Sequence, residues 1–228
     1  MKKIVALAVA LGFSAATMNA QTITNGFTFA VASGSDCGVG THFHSNTGGS
    51  FGNPAGKAEV GNFVGECVHG LSEYNLTGLA SSPTAFVTFD LFKLGGLFDG
   101  TNSTPYFGLI NVVAYAGNNA EDISDFSAAS IGSVGSFNTT GAVLGQIFSL
   151  DITSIFNAAI AANRTSLGIR LSRAGDASTQ PSNAMTFEDF HLTTNNQSTG
   201  TVTPEPASFV LMGAGLLAIV ALRRKRRA

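Results

Sequence analysis

The sequence has no tryptophan, and its bulky aromatic residue is phenylalanine, with 18 against three tyrosines. Charge is scarce, at 12 Lys and Arg and 14 Asp and Glu in 228 residues. Cations are scarcer still in the middle of the chain. Seven of the twelve are Lys2, Lys3, Arg223, Arg224, Lys225, Arg226 and Arg227, all near the ends. Residues 21–203 keep only Lys57, Lys93, Arg164, Arg170 and Arg173 against thirteen carboxylates, a net charge of about −8. A nucleic-acid partner needs basic groups to neutralise phosphates, so that class is excluded. Thiols are limited to Cys37 and Cys67, too few for a structural zinc site without histidines. Internal repeats are absent.

What is present is concentrated first at the ends. In Met1–Ala20, Lys2 and Lys3 precede the apolar run Ile4–Phe13, and small residues follow. This is the pattern of a secretory signal peptide, cleaved after Ala20 or after Ala16. Export places the chain in an oxidising compartment. There Cys37 and Cys67 are expected to form a disulfide closing a loop of about 30 residues. Near the other end, Pro204-Glu205-Pro206 is held extended by its prolines. Ala207–Leu222 is an apolar run of 16 residues, and Arg223–Arg227 is wholly cationic. As a transmembrane helix the run spans about 24 Å. That is a little short of a hydrocarbon core of about 30 Å, a gap that snorkelling arginines close. The cations act as a membrane-stop cluster on the cytoplasmic side and leave the rest of the chain outside.

This tail resembles the PEP-CTERM sorting signal of Gram-negative bacteria. The likeness rests on Pro204, Glu205, Pro206, the span 207–222 and the cluster Arg223, Arg224, Lys225, Arg226 and Arg227. Thr203 stands where the family often has valine. The resemblance implies recognition by an exosortase and a transient inner-membrane form. It also implies cleavage near the tripeptide and delivery to the outer surface or extracellular matrix.

Between the ends, apolar runs separated by Gly, Ser, Thr and Asn predict strands at 26–32, 59–68, 73–79, 85–94, 108–116, 143–150, 166–171 and 185–192. The run A-F-V-T-F-D-L-F-K-L at 85–94 has bulky residues on both faces and reads as a central strand covered on both sides. One helix is expected over Asp151–Asn163, where Ile152, Ile155, Phe156, Ala159 and Ile160 share a face and Asp151 or Thr153 caps the start. The pattern predicts a mainly β fold: an antiparallel, jelly-roll-like β-sandwich with one short helix, plus the C-terminal transmembrane helix. The chain divides into a signal peptide (1–20), an ectodomain (21–194), a polar stalk (195–203) and the sorting signal (204–228). Residues 85–91, 147–156 and 167–171 give the ectodomain a similarity to the DNRLRE-type β-sandwich of secreted bacterial proteins. That similarity implies a sandwich and, through its polysaccharide-binding relatives, a carbohydrate ligand.

The side chains that carry chemistry are few. His42 and His44 in T-H-F-H-S have the spacing that puts two rings on one face of a strand. With His69 and a carboxylate such as Glu66 they would make a metal site. The plainer expectation, preferred here, is exposed loop histidines beside the disulfide, with no metal or cofactor. Gly48-Gly49-Ser50-Phe51-Gly52 matches a G-x-S-x-G elbow only formally, because it lies in a turn-rich loop. Glu121, Asp122 and Asp125 read as an acidic solvated turn rather than a calcium loop. Asn75, Asn102, Asn138, Asn163 and Asn196 open N-x-S/T triplets that follow from composition. The chain therefore reads as an exported, non-enzymatic surface or matrix protein, with exosortase as partner and exopolysaccharide or biofilm as its setting. A carbohydrate-binding module is the alternative, and a polysaccharide hydrolase the next.

Overall fold

Strand β6 (Ala85–Lys93) shows how the sequence builds the domain. Its residues alternate, so Ala85, Val87, Phe89 and Leu91 are buried while Phe86, Thr88, Asp90 and Phe92 are half-buried. The computed structural model describes residues 20–196, and every strand pairing in it is antiparallel.

The other strands are β1 (Ala20–Asn25), β2 (Phe27–Ser33), β3 (Gly40–Ser45), β4 (Ala58–Phe63), β5 (Glu66–Asn75), β7 (Leu109–Tyr115), β8 (Ser130–Asn138), β9 (Ile147–Asp151), β10 (Ser166–Arg173) and β11 (Asn183–Asn196). The main path of pairing runs β8-β7-β10-β5-β4-β11-β6-β9. β2 lies against β5 and carries β3, and β1 pairs with β11. β4 joins two halves, pairing with β5 through Gly61–Phe63 and with β11 through Ala58–Asn62. Side chains of both halves meet in one core. Ile110, Val112, Leu167, Ile169 and Leu171 come from β7 and β10, and Val87, Phe89, Phe148, Met185 and Phe187 from β6, β9 and β11. The arrangement is sandwich-like, as the alternation predicts.

Helix α1 (Thr153–Ala161) seats Phe156 and Ala159 in that core. Its N-cap is Ile152, which makes no side-chain cap bond. The expected caps serve the strand junction instead. Asp151 Oδ1 accepts from Thr153 N at 2.9 Å, and Thr153 Oγ1 accepts from Ala85 N at 2.9 Å.

Further expectations change, including the strand ends at 73–79 and 143–150, where β5 stops at Asn75 and β9 starts at Ile147. β5 is buried on both faces, as β2 and β4 largely are, whereas one face of β6 is only half-buried. On the far side of β5, Cys67 and Leu71 pack in a second cluster with Phe29, Val31, Tyr115 and Phe126, whereas the outer Phe92 of β6 is half-buried, with the Lys57 ammonium 4.2 Å from its ring centroid. The stretch read as one strand over 59–68 is a hairpin. Val64 and Gly65 turn at φ 47° and 88°, the left-handed pair that a two-residue hairpin needs. β1, β3 and β8 were not expected. Finally, Asn195 and Asn196 belong to β11 rather than to a stalk. Asn195 and Asn196 pair with Gln21 and Ala20, and Asn195 also bonds Thr84 through its backbone and side chain. At Glu188–Phe190 β11 passes from β4 to β1 as its neighbour, and Asp189 sits at φ 53° in the resulting bulge.

The signal peptide lies outside the described residues except for Ala20, which opens β1. The rest of the stalk, Pro204-Glu205-Pro206, the apolar span 207–222 and Arg223–Arg227 also lie outside them. Among the described residues, no helix is long and apolar enough to cross a membrane.

Candidate functional site

The chemistry-bearing side chains gather where β3 meets the β4–β5 hairpin. Cys37, in the β2–β3 loop, is joined to Cys67 of β5, with Cα atoms 5.2 Å apart. That bond fixes the approach to β3 beside Glu66, the residue preceding Cys67. In β3 the pairing to β2 slips between Ser45 and Phe43, leaving His44 as the extra residue of a bulge. The rings of His42 and His44 lie side by side, 5.3 Å between centroids.

These two histidines are not the exposed loop residues expected. His44 is 1% exposed, wedged edge-on between Phe63 and Phe98 at 5.2 and 4.7 Å. Its Nδ1 lies 3.2 Å from Glu59 Oε2. Glu59 is itself fully buried, and its other oxygen accepts from Asn102 Nδ2. Asn102 Oδ1 accepts in turn from Phe98 N at 3.2 Å. Gly96 is needed for this packing, because a Cβ there would sit 2.1 Å from Asn102 Nδ2. His42 is half-buried, with Thr41 Oγ1 2.9 Å from its Nδ1. Glu66 Oε2 lies 3.6 Å from His42 Nε2 and 4.0 Å from His44 Nε2. His42, His44 and Glu66 each offer a ligand atom, all within 4.8 Å of one another.

His69 does not join them. It stacks on Phe126 with centroids 3.8 Å apart, its Nδ1 lies 3.2 Å from Phe126 O, and its Nε2 lies 2.6 Å from Asp176 Oδ2. Both ring nitrogens are thus occupied.

The acidic segment also disperses. Glu121 accepts from Thr47 N and Oγ1 at 2.9 and 2.6 Å. Asp122 accepts from Ser124 N, capping the 3-10 turn Ile123–Ser127, and this bond holds its carboxyl below the usual range. Asp125 turns inward beside the fully buried Glu73. Burial, then the Glu73 charge, pushes its carboxyl from 3.8 up to about 7. The folded state therefore holds this proton over a range where the unfolded chain has lost it. Stability should fall as pH rises from about 4 to about 7. Asp125→Asn should flatten that slope and raise the melting temperature by several degrees at pH 8, as followed by circular dichroism. An unchanged slope would mean that Asp125 does not hold the proton.

The remaining motifs separate by burial. Asn102 is fully buried and fully used, so it is no glycan acceptor, whereas Asn75, Asn138 and Asn163 are exposed. Asn196 is placed only by its backbone pairing. Ser50 lies in the loop between β3 and β4, without the strand-to-helix geometry of a nucleophile elbow. Elsewhere, a groove of about 460 Å³ is lined by Asn25, Phe27, Lys57, Asp189 and His191, among others. Sequence reasoning missed Glu59, the bracing role of Asn102 and this groove.

Comparison with known proteins adds information about a different stretch. No curated protein matches the chain. The family model for the PEP-CTERM protein-sorting motif matches residues 202–227, which takes in the tripeptide, the apolar run and the basic cluster, and the chain is accordingly a PEP-CTERM motif-containing protein.

Proposed function

We propose that this is a non-enzymatic surface or matrix protein of a Gram-negative cell, associated with extracellular polysaccharide. The motif at 202–227 carries the reading, since it marks an exported protein handled by an exosortase. The disulfide suits an oxidising destination. In this reading residues 207–222 hold the chain briefly in the inner membrane while the domain is already outside. Arg223–Arg227 stay in the cytoplasm, because each arginine costs about 2.5–3.5 kcal/mol at the centre of a membrane helix. Cleavage near Pro204-Glu205-Pro206, whose prolines disfavour a helix, then frees the domain.

One tag inserted within 197–203 and a second after Ala228 test this in a host with and without the sorting enzyme. With the enzyme, the upstream tag should leave the inner membrane and part from the downstream one. Replacing the tripeptide with alanines should trap the full-length form. If both tags stay together in the inner membrane regardless of the enzyme, the tail is a plain anchor and the sorting reading fails.

The groove favours a second reading, a carbohydrate-binding module. Phe27 is 44% exposed at its wall, and Asn25, Lys57, Asp189 and His191 supply donors and acceptors around it. An apolar ring beside planar polar groups is a surface that a sugar can meet with both its faces and its hydroxyls. Saturable binding to particular sugars on a glycan array, lost in Phe27→Ala, would favour this reading over general matrix association.

A further inference from the structure

We infer that His42, His44 and Glu66 bind one divalent transition-metal ion of the zinc class. The donor set is two imidazoles and a carboxylate, which suits zinc-type ions better than calcium or magnesium. Their ligand atoms lie within 4.8 Å of one another. A tetrahedral ion with bonds of about 2.0–2.2 Å needs donors roughly 3.3 Å apart, so a small closing movement completes the site. His42 and Glu66 are only half-buried and have room for it, and their exposed side leaves the fourth position to water.

Two further observations point to a cation. The first is the orientation of the rings. With Glu59 as a carboxylate, His44 Nδ1 donates to it, which leaves the Nε2 lone pair directed toward Glu66. Thr41 Oγ1 donates to Ala32 O at 3.3 Å, so it accepts from His42 Nδ1 and frees that ring's Nε2 as well. A carboxylate or hydroxyl behind each ring is how metal-binding histidines are held. The second is an orphan. His44 Nε2 is buried and has no hydrogen-bond partner, and its 4.0 Å distance to Glu66 is too long for a hydrogen bond. An ion between the three residues satisfies that lone pair and the carboxylate together. Phe63 and Phe98 against His44 exclude water from one side and strengthen the attraction.

The test is calorimetric titration of the chelator-stripped full chain with Zn²⁺, paired with melting curves and the visible spectrum of bound Co²⁺. One ion per chain should bind, raise the melting temperature and give a tetrahedral Co²⁺ spectrum. His42→Gln and Glu66→Gln, both at half-buried positions that tolerate change, should each weaken binding at least tenfold. Thr41→Val removes the outer partner of His42, together with the hydroxyl's bond to Ala32 O, and should cost about tenfold. Phe107→Ala, at an exposed position that holds no ligand, should bind as the parent does. Absence of saturable binding to the parent chain, or equal binding by His42→Gln and Glu66→Gln, overturns the assignment.

Discussion

Replacing Phe89 with alanine should remove about 3–5 kcal/mol of stability. Phe89 is 1% exposed and sits at the centre of four other rings. Phe190 and Phe148 stack on it at 4.5 and 5.5 Å, Phe187 meets it edge-on at 5.4 Å, and Phe137 lies 5.6 Å away. These rings come from β6, β8, β9 and β11, so truncation opens a cavity shared by both halves of the fold. Its walls are held by backbone pairing and close only in part. Urea unfolding followed by far-ultraviolet circular dichroism measures the loss, since the chain has no tryptophan to report it. Phe107→Ala, at a position 53% exposed, should stay within about 0.5 kcal/mol of the parent. A loss below about 1 kcal/mol for Phe89→Ala would mean that the neighbouring rings fill the space and the core is softer than its packing implies.

The paired substitution Cys37→Ser and Cys67→Ser should cost about 3–4 kcal/mol, the loop-closure entropy for cysteines 30 residues apart in sequence. Reduction of the parent should shift the urea midpoint by the same amount. The loss falls on the site as well as on the fold, because the bond fastens the residues leading into β3 to the strand that begins at Glu66. Mass spectrometry of unreduced exported protein should find the two cysteines linked. Equal midpoints with and without reductant would show that hydrogen bonds alone, such as Cys67 N to Ser33 Oγ at 3.0 Å, hold this corner.

What could be read along the chain was whatever depends on near neighbours in sequence. The alternation of 85–93 fixed β6, and the spacing of Ile152, Phe156 and Ala159 fixed α1 to within two residues at each end. Pairing of Cys37 with Cys67 followed from count and compartment. The sorting tail was legible because proline stiffness, apolar length and terminal charge act without a tertiary partner. β8 was not legible. Its run S-I-G-S-V-G-S-F-N has the composition of a loop, and it is a strand because β7 offers it an edge. The Val64–Gly65 turn was hidden for a related reason. Valine disfavours φ 47°, and the pairing of Phe63 with Glu66 imposes it.

The candidate site divides along the same line. The i, i+2 spacing placed His42 and His44 together, but only the tertiary structure separated His69 from them and buried His44. Glu59, Phe63, Phe98 and Asn102 decide that burial, and they lie 15 to 58 residues further along the chain. The same holds for Glu121, Asp122 and Asp125, which are close in sequence and yet become a loop clasp, a helical cap and a buried acid. Local sequence determines which backbone shape is cheap and which face is apolar. A polar side chain becomes a ligand, a brace or a solvated charge according to what the fold sets against it, because the cost of burying it depends on the partner that arrives.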